Sequence, residues 1–210
     1  IAPAKLAPHR APAPIELAAE DLERLADARE SAGESPLDGA FSNFAALNCV
    51  VDLAPVARGL ARLIRPGGQI ALVVFGTSAP GEWLVQLARR QPRAAVRRAN
   101  LGDVPARLGG NEFVVRYHRA RQIRDAFAPW FTPVRRVGIG VFVPPSAAEP
   151  WISGHPRLLA LLERMDRVAA RSLAALGDHV LYQLERRARR RRRRWRASVP
   201  RTASIAPPRD

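Results

Sequence analysis

Apolar positions between Leu37 and Phe75 change period twice, and each change marks a boundary between predicted elements. Leu37 to Ser42 reads as a short strand that opens on Asp38 and ends in small polar residues. A polar loop follows, and then Leu53, Val56, Ala57, Leu60, Leu63 and Ile64 recur at helical spacing, with Asp52 placed to cap the start. Pro55 falls in the first turn, where proline is tolerated. Pro66-Gly67-Gly68 is expected to stop the helix and turn the chain into Gln69 to Phe75, a run suited to a strand covered on both faces. The segment therefore predicts a right-handed strand-helix-strand unit of a parallel sheet.

Elsewhere the pattern is less continuous. Residues 1–14 alternate alanine and proline without periodicity and are expected to be extended or disordered. Ile15 to Ala19 predicts a strand, and Asp21 opens a brief helix with Leu22, Leu25 and Ala26 on one face. Downstream, Glu82 to Arg90 predicts a helix with Trp83, Leu84 and Leu87 inward, and residues 91–110 read as basic loop. Phe113 to Tyr117 suits a strand or hairpin arm, Ala120 to Ala128 a helix, and Val134 to Val143 a strand. Pro156 to Leu176 reads as one long amphipathic helix with Gly177 at its C-cap, and Val180, Tyr182 and Leu184 alternate in a last strand. The class is α/β, in one domain over residues 15–185.

Composition narrows the setting. The 210 residues include 47% apolar positions, enough for one core. One cysteine, Cys49, allows no internal disulfide or cysteine-type zinc cluster, so a reducing, cytoplasmic setting is expected and Cys49 reads as a small buried hydrophobe. His9, His118, His155 and His179 lack metal-ligand spacing, and no metal is expected. No apolar run reaches the roughly 20 residues of a membrane helix, and no membrane partner is expected. The formal charge of +15 is uneven: residues 186–210 hold eleven arginines against one acid, leaving +5 for the rest. The block from Arg186 to Arg196 is expected to be a disordered tail that offers nucleic acid a partner surface, with Trp195 available for stacking.

The acidic opening at Asp38, the Ser-Asn-Phe-Ala-Ala-Leu-Asn loop from Ser42 to Asn48, the helix and the Leu-Ile-Arg-Pro-Gly-Gly turn resemble the middle of a class I S-adenosylmethionine-dependent methyltransferase. The resemblance extends more weakly from Ile15 to Glu185. It implies a Rossmann-like sheet of order 3-2-1-4-5-7-6 with an antiparallel last strand, in which Leu37–Ser42 and Gln69–Phe75 are the fourth and fifth strands. The glycine-rich loop of the first strand and the ribose-binding acid of the second have no counterpart. The only Gly-x-Gly, Gly138-Ile139-Gly140, lies in a strand pattern with no helix after it. The expectation is an incomplete sheet lacking its first two strands, in a fragment of a methyltransferase.

The resemblance also places candidate residues. Asp21 would accept from the adenine amino group, or simply cap its helix, and Leu22 would flank the ring. Asn43 and Phe44, at the carboxyl end of the fourth strand, would complete the cofactor side, where open α/β sheets bind ligands. Asn48, Trp83 and His118 are candidates for substrate contact, with residues 76–118 and 144–177 as substrate-side elaborations; no catalytic residue is assigned. The function implied is methyl transfer from S-adenosylmethionine to a small-molecule acceptor. The alternatives are a nucleic-acid-binding module acting through the arginine block and a noncatalytic methyltransferase-like subunit.

Overall fold

The structure, a computed structural model, describes residues 14–43, 45–92, 98 and 103–188. Its main sheet has four strands: β1 (Leu37–Ser42), β2 (Ile64–Phe75), β5 (Phe131–Ile139) and β6 (His179–Arg186). Between β2 and β5 in the chain, β3 (Asp103–Leu108) and β4 (Asn111–Arg116) form a separate hairpin. The helices are α1 (Leu22–Ser31), α2 (Leu53–Leu63), α3 (Pro80–Ala88), α4 (Ala120–Phe127) and α5 (Pro156–Ala169).

The sheet order is β1-β2-β6-β5. β1 runs parallel to β2, and β6 inserts antiparallel between β2 and β5. These positions are those of strands 4-5-7-6 in the order that the resemblance implies. Among the described residues no further strand pairs with β1.

One face of the sheet carries the core. Ile70, Leu72 and Val74 of β2, with Val180 and Leu184 of β6, pack against Leu53, Val56 and Leu60 of α2 and against Ile123 and Phe127 of α4. The start of α2 follows the sequence pattern: Asp52 Oδ1 accepts from the Ala54 N–H at 2.9 Å. α1 docks on α2 at Gly59, where an added Cβ would lie 2.5 Å from the Leu22 Cβ. On the opposite face Phe41 is 67% exposed, and the Gln183 amide donates to Gln69 Oε1 at 2.6 Å.

Several expectations are corrected. Residues 14–18 form no strand, and the Asp21 N–H bonds the Ala18 carbonyl at 3.0 Å to start a 3-10 turn into α1. A strand needs a neighbour for its backbone groups, and the described residues offer none there. Pro66-Gly67-Gly68 does not separate helix from strand; β2 begins at Ile64, and these residues form an irregularity opposite Leu37 to Gly39, with Gly67 at φ 78°. The basic segment after α3 contains β3, joined to β4 through Gly109-Gly110 at φ 57° and 83°, the left-handed pair a two-residue hairpin turn requires.

The long helix stops at Ala169, and Gly177, at φ −68°, is no left-handed cap. Glycine is needed there because a Cβ would collide with the His179 carbonyl and the Gly138 backbone. In α3 the helix is rotated from expectation: Glu82 is buried, whereas Trp83, Leu84 and Leu87 are exposed. Cys49 is exposed as well, its neighbour Asn48 taking the interior position. β6 continues through Arg186, which takes in the first residue of the expected tail.

The α1–α2 contact generates a test. Gly59→Ala would gain about 1 kcal/mol in an open helix, but overpacking costs about 1 to 3 kcal/mol. Urea denaturation should show a net loss of up to about 2 kcal/mol; a gain would refute the close packing.

Candidate functional site

The carboxyl end of β2 meets the amino end of antiparallel β6, and the polar side chains of the interior gather there. Gly76 donates to the Asp178 carbonyl at 2.8 Å, and an added Cβ at Gly76 would strike the Gly177 carbonyl oxygen. The two chains approach this closely only without a side chain. One residue earlier, the Phe75 N–H donates to Asn48 Oδ1 at 2.9 Å, while Asn48 Nδ2 donates to the Arg116 carbonyl at 2.7 Å. One amide, 1% exposed, thus joins the 3-10 turn Ala46–Cys49 to β2 and to the hairpin.

Arg98, 6% exposed, fills the space beside this junction. Its guanidinium pairs with the Glu82 carboxylate through Nε, with Asp178 Oδ1 at 2.7 Å and with the Asp178 carbonyl at 2.8 Å. The same group lies 5.4 Å from the Phe75 ring centroid and 5.9 Å from that of Tyr117. Such enclosure of a charge is tolerable because two carboxylates and two aromatic faces replace its water. Burial opposes ionisation of Asp178, but the hydrogen bond from His179 and the Arg98 charge outweigh it and hold its carboxyl below the usual carboxylate range.

His179 Nδ1 lies 2.8 Å from Asp178 Oδ2, and its ring centroid is 4.9 Å from that of Phe75. An imidazole oriented through Nδ1 by a carboxylate can take a proton at its other nitrogen. Among the described residues, Nε2 of His179 has no hydrogen-bond partner.

The expected candidates fall into three groups. Asn48 and His118 come together around residues 47–50 and 116–118, but both turn inward: His118, 4% exposed, donates from Nε2 to the Val50 carbonyl at 2.8 Å. They hold the hairpin against the loop after β1, so their polar atoms are not offered to a substrate. Asn43 is exposed at the end of β1, and Phe44 lies outside the described residues. Asp21 stands at the N-cap of α1 without a capping bond, its carboxylate 3.7 Å from Arg24, while Leu22 is committed to the α1–α2 contact. Trp83 lies on the exposed side of α3. Of the four cofactor candidates, Asn43 and Asp21 thus keep accessible polar groups, and Leu22 packs against α2 at Gly59.

Arg98, Asp178 and His179 were missed. Arg98 is one arginine in a basic segment with no periodicity to mark it, but Gly177-Asp178-His179 immediately before an alternating strand was a readable signal.

Comparison with known proteins adds solved structures only. No protein-family model matches the chain, and no curated protein matches it. One matching structure is an S-adenosylmethionine dependent methyltransferase from Mesorhizobium loti, with 17% identity and a TM-score of 0.38, covering 72% of this chain and 62% of that one. Another, described as a putative S-adenosylmethionine dependent methyltransferase from Listeria monocytogenes, has 10% identity and a TM-score of 0.44, covering 73% of this chain and 64% of that one. The chain spans less than two thirds of either structure's length. At these scores the likeness carries no inference about activity.

Burial of His118 holds its pKa below the usual 6.5, against the opposing hydrogen bond to Val50. Below that value the unfolded chain binds a proton that the folded chain refuses, so stability falls as pH drops through about 6.5 toward the lower folded pKa. Asp178, also depressed, acts in a separate window, losing its contribution as pH falls below the carboxylate range of about 4. Denaturation midpoints between about pH 7 and 5 should fall for the wild type and flatten for His118→Gln. Equal slopes for the two would remove His118 as the cause.

Proposed function

We propose that this protein takes part in methyl transfer from S-adenosylmethionine to a small-molecule acceptor. One observation carries the reading: β6 is inserted antiparallel between β2 and β5, beside a parallel β1–β2 unit whose sequence carries the methyltransferase-like loop and turn. An antiparallel strand between two strands of common direction is a specific arrangement, not a general property of α/β sheets.

S-adenosylmethionine would supply a sulfonium-bound methyl group already activated for displacement, so alignment is the main demand on the protein. In this chain Asn43, exposed at the carboxyl end of β1, would orient the cofactor or acceptor by hydrogen bonding, and Asp21 offers a carboxylate to an amino group. His179, aligned by Asp178, would accept the proton that a hydroxyl or amine acceptor loses. The buried Arg98 would hold that dyad in place. No observation favours the nucleic-acid reading: Arg186 donates to the Ala61 carbonyl at 2.9 Å, Arg187 to the Phe131 carbonyl at 3.1 Å, and the rest of the block lies outside the described residues.

Residues 1–210 contain no Gly-x-Gly-x-Gly sequence, so the affinity of this chain by itself should be weak, on the order of millimolar. Titration with S-adenosylhomocysteine, followed by amide NMR, should shift Ser42, Asn43 and the residues flanking Gly76 and Asp178. Shifts confined to other parts of the sheet, or none near saturation of the solubility range, would count against the proposal.

A further inference from the structure

Between α4 and the β5–β6 edge lies a groove that the methyl-transfer reading does not use. Its volume is about 370 Å³, at the small end of the range for small-molecule sites. Ile123 of α4, Val134 of β5 and Tyr182 and Leu184 of β6 form an apolar floor. Three arginines surround the opening: Arg121 and Arg124 from the helix and Arg136 from the strand, whereas Arg135 stands opposite Gln183 on the other face of the sheet.

The charge around this opening is poorly balanced. Asp125 is the one carboxylate that pairs with the rim among the described residues, 3.4 Å from Arg121 and 3.1 Å from Arg124. Arg136 has no ion pair among those residues. It stands opposite Tyr182 in the strand register. Burial pushes the Tyr182 phenol above its usual pKa although Arg136 acts the other way, so the hydroxyl keeps its proton and can still donate.

A simpler account of the arginines is protection of an edge. β5 is the outer strand of the sheet among the described residues, and Pro133, the neighbouring charges and a register shift between Pro133 and Arg135 all discourage pairing with another chain. Edge protection, however, requires neither an apolar cavity beneath the charges nor two further arginines converging from α4. The combination of floor and rim is what an amphipathic anion needs: burial for its body and guanidinium groups for its head.

We propose that this groove binds a small amphipathic anion, a carboxylate or phosphate monoester on an apolar body of medium chain length. The body rests on Ile123, Val134 and Tyr182, and the head lies between Arg124 and Arg136. The site is independent of the methyl-transfer reading, and either can fail without the other.

The test is a titration of the 210-residue chain with octanoate, octyl phosphate, octanol and inorganic phosphate, read from the methyl NMR signals of Ile123, Val134 and Leu184. At least one octyl anion should shift these signals saturably and bind about tenfold tighter than octanol and than inorganic phosphate; the tighter of the two anions identifies the head group. Arg136→Gln and, separately, Arg124→Gln should each weaken the anion about tenfold and leave octanol unchanged. Both side chains are at the surface, so folding should survive either change. The proposal is overturned if octanol matches the anions, if inorganic phosphate alone does, or if neither anion moves the three signals. A short oligonucleotide that shifts them where octanoate does not would assign the surface to nucleic acid instead. Self-association of Arg136→Gln with anion binding intact would leave edge protection as the role of the arginines.

Discussion

β2 is bonded along both edges, parallel to β1 on one side and antiparallel to β6 on the other, and it presents Ile70, Leu72 and Val74 to the core. The geometry of its carboxyl end therefore fixes where the rest of the molecule can go. At Phe75 the backbone N–H is taken by Asn48, and at Gly76 by Asp178. These two bonds bring the loop after β1 and the start of β6 to the same point. A glycine at 76 is the condition for that approach. The hairpin is drawn in by the second half of the Asn48 amide and by His118 on Val50, so an element outside the main sheet is held by side-chain bonds to backbone.

Arg98 seals the same junction. A guanidinium almost wholly removed from water needs its donors matched, and Glu82, Asp178 and the faces of Phe75 and Tyr117 supply partners on several sides. The rotation of α3 follows from this demand. Glu82 must face inward to reach Arg98, which turns Trp83, Leu84 and Leu87 outward against their hydrophobic preference. Asp178 serves both Arg98 and His179, linking the buried charge network to the imidazole at the start of β6.

Periodicity was sufficient where one face of one element decides burial. β1, α2, the apolar length of β2, α4 and β6 were all legible, as was the Asp52 cap, because each signal is local. What failed depended on partners distant in the chain. Ile15 to Ala19 has β-forming residues but no neighbour among the described residues to complete its hydrogen bonds. β3 was hidden by arginine and proline because its hydrogen bonds come from β4. The apolar stripe of α5 reads as an amphipathic face, yet Leu158, Met165 and Val168 are exposed and the helix has no buried residue. At the site, the residue types Asn48 and His118 were noticed for good chemical reasons, but a sequence does not say whether an amide faces a ligand or a backbone carbonyl. Arg98 was invisible for the same reason: its role is defined by Glu82 and Asp178, 16 residues before it and 80 after it.

The two accessible polar positions at the end of β1 and before α1, the Asp178–His179 pair at the start of β6 and the strand order form one proposed account, in which the carboxyl end of the sheet is the cofactor side. Ultraviolet cross-linking of radiolabelled S-adenosylmethionine to the protein, followed by peptide mapping, tests it most directly. The account predicts label in the peptide that contains Ser42, Asn43 and the turn Ala46–Cys49; label confined to α4, β5 or the arginine block would contradict it.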